Sequence, residues 1–128
     1  MSLLLATLAC ASLAQGSAPP APKAPVNDTF AVTFRTGPAW DAAKAPQEQP
    51  HFAEHSQNLR ALRSEGRLLL GARYGEVGLV VLRAASAADA RALVDRDPSV
   101  KAGTFAVTVE PFYAFMPGCV GMEPPADE

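Results

Sequence analysis

The stretch PHFAEHSQNLRALRSEGRLLL, residues 50–70, decides how this chain is to be folded. Phe52, His55, Leu59 and Leu62 recur at steps of three and four, so on a helix they share one face. Pro50 suits the first turn and Gly66 the residue just past the end, which predicts a helix over residues 51–65. Residues 67–74 then form a strand. Three of the four stripe residues are apolar; the fourth carries a titratable imidazole. A histidine on an apolar stripe is most simply a core residue with a satisfied partner. Its other reading is an acid–base group facing a cleft.

Downstream, Gly75-Glu76 makes a short turn into VGLVVLR, residues 77–83. Two strands joined so tightly form a hairpin. The second is apolar on both faces, which predicts a central place in a sheet. Ser86 then opens a second helix, with Asp89 three residues later in a variant of the capping box. Ala87, Ala90, Leu93 and Val94 make its buried stripe, and one further step reaches Asp97. Pro98 breaks the helix there. Asp97 therefore has two readings, as cap of the turn over residues 98–102 or as a polar group delivered to the core. Past Gly103, residues 104–110 alternate, with Phe105, Val107 and Val109 on one side, and Pro111 ends the strand.

Upstream, residues 29–36 alternate as well: Phe30, Val32 and Phe34 point one way, Ala31, Thr33 and Arg35 the other. Gly37-Pro38 stops this strand. Residues 39–49 form a loop whose lone Trp40 either covers a pocket or, the simpler expectation, packs over the sheet edge. The order is β-α-β-β-α-β, the ferredoxin-like motif of the α+β class: a four-stranded antiparallel sheet with both helices on one face. Val, Leu and Ala on both sides of the middle strands leave the other face to be covered by protein. A second copy does this most simply, giving a homodimer of the α+β barrel type.

These residues also suggest a family. Phe52-x-x-His55, Leu59, Leu62, Gly66, Leu68 and Gly71, the short hairpin into Gly78-Leu79-Val80-Val81, then Ala90, Asp97-Pro98, Gly103 and Val109-x-Pro111-Phe112 together resemble the YciI-like (YCII-related) proteins. The resemblance spans residues 30–112, and its most telling features are the His and the Asp-Pro. It implies a ferredoxin-like dimer with a His-Asp pair in a cleft as active site, which maps onto His55 and Asp97. Few members have a known reaction; one relative eliminates chloride from a chlorinated hydroxyquinol, and similar folds host muconolactone isomerases. Two departures leave the substrate class open: the segment between Tyr74 and Val77 is short, and an export signal precedes the domain.

That signal is residues 2–14, SLLLATLACASLA, uncharged and apolar. Ser12-Leu13-Ala14 offers small residues at the −3 and −1 positions of a cut, so residues 1–14 are expected to be a signal peptide, although no Lys or Arg follows Met1. The protein is then secreted or periplasmic; it is cytoplasmic if the segment is retained as an apolar helix. Thr7 to Cys10 only partly matches a lipoprotein box. Residues 15–28 are an Ala/Pro-rich linker, residues 29–118 the folded domain, and residues 119–128 an acidic tail expected to be disordered.

Composition narrows the rest. The 128 residues suit one domain, and 48% are hydrophobic, enough for a core. With 11 basic and 13 acidic side chains and no basic block, nucleic acid is not an expected partner. No stretch approaches the roughly 20 apolar residues of a membrane span. Cys10 and Cys119 make no disulfide framework, and Cys119 has no evident His partner for a nucleophilic role. His51 stands four residues before His55, but no third metal ligand can be named, so no metal is expected. Gly71, Gly75 and Gly78 are followed by no helix and spell no dinucleotide fingerprint, so no cofactor is expected either. Arg35 and Arg73 are candidates to hold an acidic substrate, with surface charges as the simpler reading. Tyr74 is a candidate hydroxyl; Tyr113 is its equal by spacing. Three functions remain: a small cofactor-independent enzyme of the isomerase, lyase or elimination type with His55 as base and Asp97 orienting it; a small-ligand-binding protein using the same cleft; or a structural dimer in which the pair is a buried polar contact.

Overall fold

The computed structural model describes residues 16–20 and 28–120. The expected signal peptide, Cys10, most of the linker and residues 121–128 of the tail lie outside them. Four strands are present: β1 (Thr29–Thr36), β2 (Leu68–Tyr74), β3 (Val77–Arg83) and β4 (Phe105–Pro111). Among the described residues three α-helices accompany them, α1 (Phe52–Ser64), α2 (Ala87–Asp95) and the single turn α3 (Pro98–Lys101), with a short 3-10 turn at Pro46–Glu48. The sheet order is β2-β3-β1-β4, and all three pairings are antiparallel. This is the ferredoxin-like arrangement, with β3 and β1 central.

Alternation along the strands sets the layers. Phe30, Val32 and Phe34 are buried and lie opposite Leu82, Val80 and Gly78 on β3 and Pro111, Val109 and Val107 on β4. This face carries the core, completed by Leu62 of α1 and by Ala90, Leu93 and Val94 of α2. Ala31, Thr33 and Arg35 point to the opposite, open face with Leu79, Val81 and Ala72. Helix α1 packs on β2 and α3, and α2 on β4. Pro111 lies within β4 rather than after it. Because β4 is an edge strand, a missing amide there costs no ladder bond.

Two local expectations need correction. The first concerns the start of α1. His51 is not its first residue but its N-cap, held in the left-handed region at φ 62°. A β-carbon makes that conformation costly, by about 1 kcal/mol or more. The neighbouring contact accounts for it: the hydroxyl of the fully buried Thr104 donates to the carbonyl of Pro50 at 2.8 Å. With Pro50 fixed to the start of β4, the chain turns sharply at His51, whose carbonyl then accepts from the His55 amide at 2.9 Å. The second concerns the α2 stripe. Ala87 is exposed, and burial begins at Ala90. The Ser86 cap itself forms, its hydroxyl oxygen accepting from the Asp89 amide at 3.1 Å.

The loop between β1 and α1 is tied at both ends. Its first part follows the β4 approach: the amides of Gly37 and Ala39 donate to the carbonyls of Thr104 and Gly103 at 2.8 and 2.9 Å. A β-carbon at Gly37 would lie 2.1 Å from the Gly103 oxygen, so only glycine fits. Its second part is held by Gln49, buried although polar. The Gln49 side chain donates to the carbonyls of Asp41 and Lys44 at 2.6 and 3.1 Å and accepts from the Asp41 amide at 2.9 Å.

Candidate functional site

Asp97 is fixed first by its own neighbours in sequence. Preceding a proline, it is extended, with φ −65° and ψ 124°. From there Oδ1 accepts from the Ser99 amide at 3.0 Å and the Ser99 hydroxyl at 2.6 Å, capping α3. The other oxygen faces α1. Oδ2 lies 2.9 Å from His55 Nδ1 and accepts from Asn58 Nδ2 at 2.9 Å. The two readings of Asp97 therefore coexist: one oxygen caps, the other holds the histidine. Asn58 reaches the same oxygen because it stands one helical turn after His55.

The carboxylate is 1% exposed and carries four hydrogen bonds. Burial pushes its pKa up. The bonds from His55, Ser99 and Asn58, with the electrostatic pull of the His55 ring, outweigh burial and bring it from 3.8 to about 2. At neutral pH Asp97 is thus ionised and can only accept, so His55 Nδ1 carries the hydrogen. In the neutral ring the lone pair is then left on Nε2.

The ring sits in an aromatic surround. Its centroid lies 5.0 Å from that of Phe34, edge to face, and 4.9 Å from that of Phe105, with Phe52 at 6.3 Å. Beside it opens a cavity of about 350 Å³, walled by Phe34, Trp40, Phe52, Leu59 and Phe105. Trp40 does both things the sequence allows: it borders the cavity, and it packs on the edge strand through Phe105, with centroids 5.6 Å apart. The cavity exists because of two glycines. Gly71 and Gly78 stand at helix-facing positions of β2 and β3, opposite Val80 and Phe34 respectively, where any side chain would fill the space under α1. Ser56 also lines it, and its hydroxyl has no hydrogen-bond partner among the described residues.

Strand alternation sorts the remaining candidates. Arg73 pairs with Gly78 and so stands on the same sheet face as His55, at the cavity mouth. Its Nε donates to the Gly75 carbonyl at 3.1 Å and its Nη2 to Glu76 at 3.2 Å. Arg35 borders the cavity, but its side chain leaves from the open face. Tyr74 does not line the cavity. One residue beyond Arg73, it projects to the open face and is 54% exposed. His51 stands off from the pair, 3.4 Å from Glu54. Cys119 is exposed. Among the described residues no cluster of His, Cys, Asp and Glu could hold a metal ion, and no helix is long and apolar enough to cross a membrane.

Three contributors were missed in sequence. Ser99 had a signal, since Asp-Pro-Ser is a capping pattern. Asn58 had a partial one, its helical step from His55. Gln49 had none, because its partners are carbonyls of a loop with no regular period.

No curated protein sequence matches this chain. Among solved structures, it is similar to 5-chloro-2-hydroxyhydroquinone dehydrochlorinase from Burkholderia phenoliruptrix, determined in complex with 2,5-dihydroxybenzoquinone. That similarity has 21% sequence identity, covers 66% of this chain and 93% of the other, and has a TM-score of 0.48. The family model of the YCII-related domain matches residues 35–113, a span that contains His55, Asn58, Asp97 and every residue of the cavity wall except Phe34, which directly precedes it. With most of its length matched, the chain belongs to the YCII-related domain family.

Proposed function

We propose that this protein is a small enzyme that needs no cofactor and moves a proton at a carbon or ring hydroxyl of a small molecule held beside His55. One observation carries the reading: an ionised, fourfold hydrogen-bonded Asp97 holds His55 Nδ1–H at 2.9 Å, while the same ring borders a cavity of about 350 Å³. A histidine kept only for packing needs no open space beside its ring. In this reading His55 Nε2 takes the proton as general base, Asp97 fixes tautomer and ring angle, and the aromatic walls exclude water. Isomerisation, elimination and lyase steps all begin this way. The second reading, ligand binding without turnover, uses the same cavity.

Deuterium wash-in separates the two. Compounds that raise the melting temperature are incubated with the protein in deuterium oxide and weighed by mass spectrometry. The enzyme reading expects exchange at an acidic C–H with the wild-type protein and none with His55→Ala. Stabilising compounds that never exchange, and never turn over, would establish binding alone.

The reading extends to assembly and location. A second copy covers the open sheet face, where Ala31, Thr33, Leu70 and Leu79 are only half-buried and Leu69 and Tyr74 are exposed. The apolar segment at residues 2–14 directs export.

A further inference from the structure

We infer that the cavity takes a flat, ring-shaped acid, and that Arg73, rather than Arg35, receives its carboxylate. The inference rests on the reading of this cavity as the functional site and goes on to name what fills it.

The shape argument comes from the walls. Four aromatic side chains, Phe34, Trp40, Phe52 and Phe105, border the space, and the rings that pack on one another do so at tilted or edge-on angles. Such a slot offers ring faces and edges to a planar guest. On the sheet side Gly71 and Gly78 present backbone alone, so the floor is flat there. A volume of about 350 Å³ lies at the small end of ligand pockets, which suits one ring and its substituents.

The charge argument comes from the register. Arg73, Gly78 and Phe34 form a row across three strands on the helix-covered face. Phe34 touches His55, with ring centroids 5.0 Å apart. The glycine between leaves the row open from Arg73 to Phe34, two strand spacings or about 10 Å. A ring bridging that gap would place one end at His55 Nε2 and the other at the guanidinium. Arg73 borders the cavity, its bond to the Gly75 carbonyl holds the guanidinium beside the hairpin turn at the cavity mouth, and its Nη1 has no partner among the described residues. Its ion pair with Glu76 is exposed on both sides and competes weakly. Arg35 also has no ion-pair partner among the described residues, but β1 alternation sends its side chain to the opposite face.

The test is an NMR titration of the full chain with benzoate, its neutral counterpart benzamide, and the non-planar cyclohexanecarboxylate. Benzoate should bind ~10-fold more tightly than benzamide, as expected when a charge-assisted pair is made. It should also bind more tightly than cyclohexanecarboxylate. Arg73→Gln should remove the preference over benzamide and Arg35→Gln should leave it. Arg73 is largely exposed, so its variant should keep the wild-type melting temperature. Equal binding of benzoate and benzamide, a preference lost with Arg35→Gln but kept with Arg73→Gln, or no binding of any probe would overturn the inference. Comparing both readouts in the wild-type protein keeps the two claims apart. A benzoate preference with no proton exchange on any stabilising compound would defeat the enzyme reading alone; exchange of neutral compounds without any preference would defeat this inference alone.

Discussion

Asp97 divides its two oxygens between two tasks, and that division ties the fold to the site. Oδ1 belongs to the chain turn it caps; Oδ2 belongs to α1 through His55 and Asn58. Losing the charge therefore loosens a helix start and a helix-to-helix contact together. The pKa of Asp97 is lowered by folding, from 3.8 to about 2, so the ionised form stabilises the fold above pH 3.8. That contribution is about 2 kcal/mol, at roughly 1.36 kcal/mol per pKa unit, and is lost as the pH falls from about 3.8 through about 2. Urea unfolding followed from pH 5 to pH 2 should show this loss in the wild-type protein and a flatter curve in Asp97→Asn. Parallel curves would mean that Asp97 titrates alike in both states. The residue was visible in sequence as the extension of the Ala90, Leu93, Val94 stripe. Its partners were harder to see. Asn58 and Asp97 are 39 positions apart, and no local period links side chains that meet only after two helices pack on one sheet.

At the scale of elements, the cavity is a gap in the packing of α1 on the β2–β3 hairpin. The hydrophobic period placed both helices and all four strands, because burial of one face is a local, repeating constraint. It did not reveal the gap, because Gly71 and Gly78 look in sequence like turn or bulge residues. Only the pairing register shows that both face the helix. The left-handed start at His51 was hidden for a similar reason, being imposed by Thr104 from another element. The gap can be filled on purpose. A β-carbon at Gly71 would meet only Leu68 Cδ2, at 4.0 Å, whereas at Gly78 it would press on Phe34 Cβ at 3.4 Å. Gly71→Val should therefore fold with unchanged or slightly raised melting temperature, since valine suits a strand better than glycine. It should weaken any ligand of the wild-type cavity by at least about tenfold, or ~1.4 kcal/mol. Unchanged ligand affinity in that variant would place the binding site elsewhere.

At the scale of the whole molecule, a one-sided sheet leaves an apolar face open, and the helix side already holds the cavity. A second copy on the open face would therefore leave the way to His55 clear while bringing Tyr74 and Arg35, which share that face, into the contact. Light scattering of the full chain at micromolar concentration should give a mass near twice that of the 13.4 kDa chain, consistent with an interface of roughly 1,200 Å² or more. A monomer mass would leave the face to some other cover. The account as a whole nevertheless stands on one proton. It requires the neutral His55 ring to carry hydrogen on Nδ1, donated to Asp97, with an unprotonated Nε2 turned to the cavity. Nitrogen-15 NMR of the imidazole measures this directly. The predicted spectrum has a protonated Nδ1 and a bare Nε2 in the neutral ring, with Nε2 shifting when a cavity ligand is added. A neutral ring protonated on Nε2 would contradict it, because that nitrogen would then have no lone pair with which to act as a base.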